Sequence, residues 1–141
     1  MEKKPKVLLT RLITDPAVEL LKNNFDVEIN LEDRPITRRE LLTKIKDRDG
    51  LLCLLTDRIG SEIIANASSL KIIANYAVGY DNIDVKEATK RKIVVTNTPD
   101  VLTETTADLT FALILTVARR IVEGDKFLRE GKFKGWAPTL F

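Results

Sequence analysis

Histidine and glutamine are missing altogether from this 141-residue chain, and cysteine, methionine and tryptophan occur once each. Without histidine, the usual proton carrier for chemistry near neutral pH is absent. The single cysteine, Cys53 inside GLLCLL, excludes an intrachain disulfide and reads as a small buried hydrophobe in a reducing compartment. Charge of one sign is also lacking: 23 basic residues are interleaved with 21 acidic ones, for a formal net charge of +2, so electrostatics gives no reason to propose a nucleic-acid partner, and none is expected. Long apolar runs are scarce. LTFALILTVA is about half of what a membrane span needs, and Asp108 and Arg119 bracket it. The apolar part of MEKKPKVLLTR is too short for a signal peptide. A cytoplasmic protein with no membrane partner is expected. The lack of glutamine beside 31% charged residues points to a thermophilic source.

What is present alternates. KVLLT, DVEIN, GLLCLL, KIIAN and KIVVTN read as strands, and GLLCLL is apolar throughout, as a strand covered on both faces should be. Between them fall helical segments. In DPAVELLKNN, Asp15 is placed to cap and Pro16 fits the first turn. TRRELLTKIKD opens on a Thr37/Glu40 capping box, and SEIIANAS and DVKEATKR follow further along. Five such units with short connections predict an α/β fold, a doubly wound, five-stranded parallel sheet over residues 1–100. One long helix is expected from Thr103 to Val122. Its middle is apolar all round, so it must be buried on all sides, and one sheet can cover only one of them. The tail ends on Leu140-Phe141 without a helix stop, so the chain is expected to continue into a second domain.

In such a sheet, ligands bind beyond the carboxyl ends of the strands. LLTD (Leu54–Asp57), AVGYDN (Ala77–Asn82) and TNTPD (Thr96–Asp100) fall there. Gly79 allows a backbone conformation or a close approach that a side chain would block, and the amides of Val78 and Gly79 could meet an anion such as a carboxylate. The same residues also suit a plain turn, with Asp81, Asn82 and Asp84 serving turn and cap chemistry. Neighbouring functions on this fold fail on residues. The first strand ends on Thr10-Arg11 and the fifth on Thr96-Asn97, which excludes a phosphate-accepting receiver domain. TRLITDP has no glycine for a flavin phosphate. The six glycines (50, 60, 79, 124, 131 and 135) make no GxGxxG. Neither a catalytic residue nor a metal-ligand set is assigned within the chain.

NYAVGYDNIDVKEATKRKIVVTNTPDVLTETTADLTFALILTVARR, followed by REGKFKGWAP, closely resembles the D-isomer-specific 2-hydroxyacid dehydrogenases, in particular the glyoxylate and hydroxypyruvate reductases. VGYDNID and the E-x-x-A-D run Glu104–Asp108 are specific when found together at this separation. The resemblance implies a flavodoxin-like substrate domain over 1–100. It also implies that 101–141 are the linking helix and the start of a coenzyme domain, stopping short of the family's GxGxxG. Hydride transfer from NAD(P)H to glyoxylate or a similar small 2-oxo acid is implied. The family's Arg, Glu and His would lie beyond Phe141. By resemblance, the amides of Val78 and Gly79 hold the substrate carboxylate, with Leu55 as an apolar wall and Tyr80 beside them. Thr106 touches the coenzyme, NAD or NADP. Plain readings stand alongside: Leu55 as core and Thr106 as a capping hydroxyl. A homo-oligomer is expected. The alternative is a non-enzymatic, nucleotide-sensing or partner-binding module, like the corepressor relatives of the family.

Overall fold

The computed structural model describes residues 3–32 and 34–140, and the chain divides into two compact units, Met1–Asp100 and Val101–Phe141. The first unit runs β1 (Lys6–Leu9), α1 (Asp15–Asn24), β2 (Asp26–Ile29), α2 (Arg38–Lys44), β3 (Gly50–Leu54), α3 (Ser61–Asn66), β4 (Ile72–Tyr76), α4 (Val85–Lys90) and β5 (Val94–Thr96). All strand pairs are parallel, in the order β2-β1-β3-β4-β5. This is the flavodoxin-like arrangement, whose strand order reverses between β1 and β3.

Period-two alternation decides which side chains meet. Leu8, Leu51, Cys53 and Ile73 point to one face, where they join Leu41 and Ile45 at α2, Ile63 and Ile64 of α3 and Ala88 of α4 in a single core. The other face is closed over β1, where Leu9 is fully buried, but Ile72, Tyr76 and Val94 on β4 and β5 are 39%, 53% and 56% exposed. Cover on this second face is therefore partial: α1 contributes a single buried residue, Val18. Cys53 lies in the closed face. Burial is the main cause that pushes its thiol up to about 12, and its Sγ donates to Asn75 Oδ1 at 3.4 Å.

Helix ends follow local chemistry, with one revision. The N-cap of α1 is Thr14, without a side-chain bond, and Asp15 is the first helical residue rather than the cap. There its charge still faces the positive end of the helix dipole. The box at α2 forms as expected: Thr37 Oγ1 accepts from the Glu40 amide at 3.3 Å, and the Thr37 amide donates to Glu40 Oε2 at 2.8 Å. Arg34 donates twice to the same carboxylate, at 2.7 and 3.0 Å. These bonds, Arg34's first and Thr37's next, hold the Glu40 carboxyl well below its usual range. A lowered folded pKa stabilises the protein at pH values above the unfolded carboxyl's titration. The contribution is lost as pH falls towards the folded value. The stability difference between the wild type and Glu40→Gln should thus be constant above about pH 6 and shrink below about pH 4.3. Urea midpoints across that range check it, and a difference that ignores pH would contradict the assignment.

The second unit holds α5 (Thr103–Ala118) and α6 (Ile121–Arg129). The single helix expected through Val122 is broken. Arg119 caps α5, and Arg120 adopts a left-handed φ of 52° before α6 begins. A non-glycine residue there costs roughly 1–2 kcal/mol, and Arg120 donates to Glu123 Oε2 at 2.5 and 3.0 Å. No residue of α5 is buried, and Phe111 and Val117 are 68% and 77% exposed. Among the described residues, no helix is long and apolar enough to cross a membrane.

Candidate functional site

The loops after β3 and β4 emerge side by side, because Leu54 and Tyr76 are register partners in adjacent strands. Leu55 follows β3 and is 56% exposed, which removes the plain-core reading. Val78 and Tyr80 follow β4 and are also exposed. The hydrogen bonding of the β4 loop is one-sided. Its carbonyls are taken: Ala77 O accepts from the Thr98 amide at 2.9 Å, Val78 O from Asn97 Nδ2 at 2.8 Å, Gly79 O from Asn75 Nδ2 at 2.8 Å, and Tyr80 O from the Ile83 amide at 3.1 Å. The amides of Val78, Gly79 and Tyr80, by contrast, donate to no protein group among the described residues. A loop with its acceptors engaged and consecutive donors spare favours an anion.

Gly79 has no left-handed backbone, so conformational freedom is not what it supplies. What it supplies is space: a Cβ there would lie 3.2 Å from Asp81 Oδ1. The polar residues after it have separate duties. Asn82 Nδ2 donates to Leu54 O at 3.2 Å and to Asp57 O at 3.0 Å, while Asn75 Nδ2 donates to Asn82 Oδ1 at 3.0 Å. This amide pair staples the two loops together. Asp84 caps α4 by accepting from the Glu87 amide at 3.0 Å. Leu55, Asp57, Asp81 and Asn82 line a cavity of about 270 Å³. A larger hollow of about 350 Å³ between α2 and the start of α3 shares Thr56 and Arg58 of the β3 loop with it, and its Arg38 is already paired with Glu62.

Asp57 anchors the β3 loop. It is 2% exposed. Its Oδ2 accepts from Thr10 Oγ1 at 2.5 Å and from the Leu54 amide at 2.9 Å, which crosses the switch point between β1 and β3. Its Oδ1 is buried and has no hydrogen-bond partner among the described residues. Asp57→Ala would orphan the Leu54 amide and leave the buried Thr10 hydroxyl with only its 3.4 Å bond to Leu52 O, for an expected loss of about 2–4 kcal/mol. Asp57→Asn should cost less, since an amide oxygen can keep both bonds. Denaturant melts of the two variants test this, and equal losses would show that charge, rather than the two bonds, matters.

Thr106 lies in the first turn of α5, but the helix is capped elsewhere. Leu102 holds the N-cap position, and it is Thr105 whose hydroxyl donates to Leu102 O at 3.2 Å. The capping reading of Thr106 therefore fails, and its hydroxyl is unpartnered among the described residues. The chain does not fit a dinucleotide's pyrophosphate. β1 leads into Thr10-Arg11 with no glycine, and the positive-φ glycines, Gly131 and Gly135, follow α6 rather than a strand. No cluster of three metal-ligating side chains occurs among the described residues.

Sequence reasoning placed Leu55, Val78, Gly79 and Tyr80 at strand ends, where they are found. It gave Asn82 only turn and cap chemistry, and gave no role to Asn75, Asn97, Asp57 or Thr10. The available signal was polar residues at the ends of apolar strands, in KIIAN and LLTD.

A five-stranded, all-parallel sheet in flavodoxin-like order, with spare loop amides at its carboxyl edge, defines the class: an α/β domain. The family described as D-isomer specific 2-hydroxyacid dehydrogenase, catalytic domain, matches residues 7–131, and the chain belongs to that family. It is 54% identical over 142 residues to a glyoxylate reductase of Pyrococcus furiosus, covering 98% of this chain and 42% of the relative. A glyoxylate reductase of Thermofilum pendens is 51% identical over 137 residues, with 96% and 40% covered. Among solved structures, a Thermus thermophilus protein superposes with a TM-score of 0.85 at 43% identity, over 96% of this chain and 43% of the other. The NADPH-dependent glyoxylate/hydroxypyruvate reductase of Sinorhizobium meliloti, in complex with NADP and malonate, does so with a TM-score of 0.73 at 31% identity, over 96% and 42%. The chain thus spans about 42% of the length of the curated relatives it matches.

Proposed function

We propose that this chain is the substrate-binding part of an NAD(P)-dependent reductase that converts glyoxylate, or a similar small 2-oxo acid, to the 2-hydroxy acid. The observation that carries the reading is the β4 loop, whose carbonyls are engaged and whose Val78, Gly79 and Tyr80 amides are spare. In this reading the substrate carboxylate accepts from the Val78 and Gly79 amides, with the Tyr80 amide adjacent. Exposed Leu55 covers the apolar side of the substrate and keeps water from it. A charge-assisted bond to each amide is stronger than a neutral one, so the loop selects acids over aldehydes. When bound, the nicotinamide supplies the hydride. Thr106 is the residue here that would touch the coenzyme, and the pyrophosphate and the proton transfer are assigned to no residue of this chain. A homo-oligomer is part of the same proposal.

The test is a fusion in which residues 1–141 replace the matching segment of the Pyrococcus furiosus glyoxylate reductase. We expect glyoxylate-dependent oxidation of NAD(P)H by the fusion. The 141-residue chain alone should show neither turnover nor micromolar coenzyme affinity. A fusion that folds and binds coenzyme, yet reduces no small 2-oxo acid, would overturn the reading.

A further inference from the structure

We propose that Asn97 is a positioning residue that aims the Gly79 amide at the substrate carboxylate, an inference that rests on the carboxylate-site reading above. The argument is one of peptide geometry. Among the described residues there are no cis peptide bonds, and in a planar trans peptide the carbonyl and the following N–H point in opposite directions. Whatever holds the carbonyl therefore fixes where the next N–H points. Three consecutive peptides of the β4 loop are held in this way. The Thr98 amide holds Ala77 O at 2.9 Å and so sets the Val78 N–H. Asn97 Nδ2 holds Val78 O at 2.8 Å and sets the Gly79 N–H. Asn75 Nδ2 holds Gly79 O at 2.8 Å and sets the Tyr80 N–H.

The two asparagines differ in what else they do. Asn75 is 2% exposed and also bonds Asn82 and Cys53, so it belongs to the core as much as to the loop. Among the described residues, the one hydrogen bond of the Asn97 side chain is the one to Val78 O, and that bond is solvent-exposed. Its removal frees one peptide to rotate without opening the core. Preorganised donors bind an anion without first being reoriented, so loss of the Asn97 bond should weaken binding while leaving the fold intact.

The experiment is an amide NMR titration of the perdeuterated 141-residue chain with oxamate, a stable analogue of a 2-oxo acid, for the wild type and Asn97→Ala. In the wild type, the Val78, Gly79 and Tyr80 signals should shift saturably. In Asn97→Ala, affinity should fall roughly tenfold. The Gly79 response should shrink most, and Tyr80, still held through Asn75, should shrink least. In the fusion enzyme, the same substitution should raise the KM for glyoxylate and leave the KM for coenzyme unchanged. Oxamate affinity and a Gly79 response unaltered in Asn97→Ala would overturn the positioning role alone. No response of the three amides in the wild-type chain would overturn the carboxylate site, and this role with it.

Discussion

Gly79→Val in the fusion enzyme should raise the KM for the 2-oxo acid by roughly 10- to 100-fold, while the KM for coenzyme stays within about twofold. The expected loss is on the order of one charge-assisted hydrogen bond, roughly 1.5–3 kcal/mol, and about 1.4 kcal/mol is a factor of ten. The cause is spatial. A Cβ at position 79 already lies 3.2 Å from Asp81 Oδ1, and two further methyl groups would push that carboxylate aside and crowd the spare N–H. Gly79→Ala should be far milder. Asp81 need give only a few tenths of an ångström, and Gly79 has no positive φ to strain an alanine. Kinetics of the two variants discriminate. If glycine were needed only to make the turn, alanine and valine would both lower stability and would affect both Michaelis constants alike.

The chain on its own should self-associate through α5. Phe111, Leu113, Ile114, Leu115 and Val117 are each more than half exposed, a larger apolar patch than a soluble monomer usually presents. Burying about 200 Å² of it per chain is worth roughly 5 kcal/mol before association costs. Light scattering should show a dimer or a larger species at high micromolar concentration, and Leu113→Glu with Val117→Glu should shift it to monomer. A monodisperse wild-type monomer with α5 folded would show that this surface does not drive association.

The sheet was legible in the sequence because its signals are local. Apolar runs such as GLLCLL and KIVVTN, each followed by a polar helix start, need no knowledge of distant residues. The Thr37/Glu40 box is likewise complete within four residues. The break after Ala118 was not legible, because nothing in VARRIVEG is a glycine or proline near the break, and Arg120 takes the left-handed conformation without either. The exposure of Ile72 and Val94 on the second face was not legible for a related reason. Ile72 and Val94 are as apolar as covered residues, and composition does not say whether a cover is present. At the site, glycine and the strand ends pointed to the right loop. The pattern that makes the loop one-sided could not be read in advance. Asn97 reaches Val78 across 19 positions, and Thr10 reaches Asp57 across 47. Such pairings exist only once β1, β3, β4 and β5 lie together.

A crystal structure of the fusion enzyme with bound oxamate decides whether the β4 loop receives the substrate carboxylate. Carboxylate oxygens are expected about 2.7–3.2 Å from the amide nitrogens of Val78 and Gly79, with Leu55 against the ligand and Asn97 still bonded to Val78 O. Oxamate bound in the active-site cleft with its carboxylate on other donors, and those two amides facing water, would contradict it.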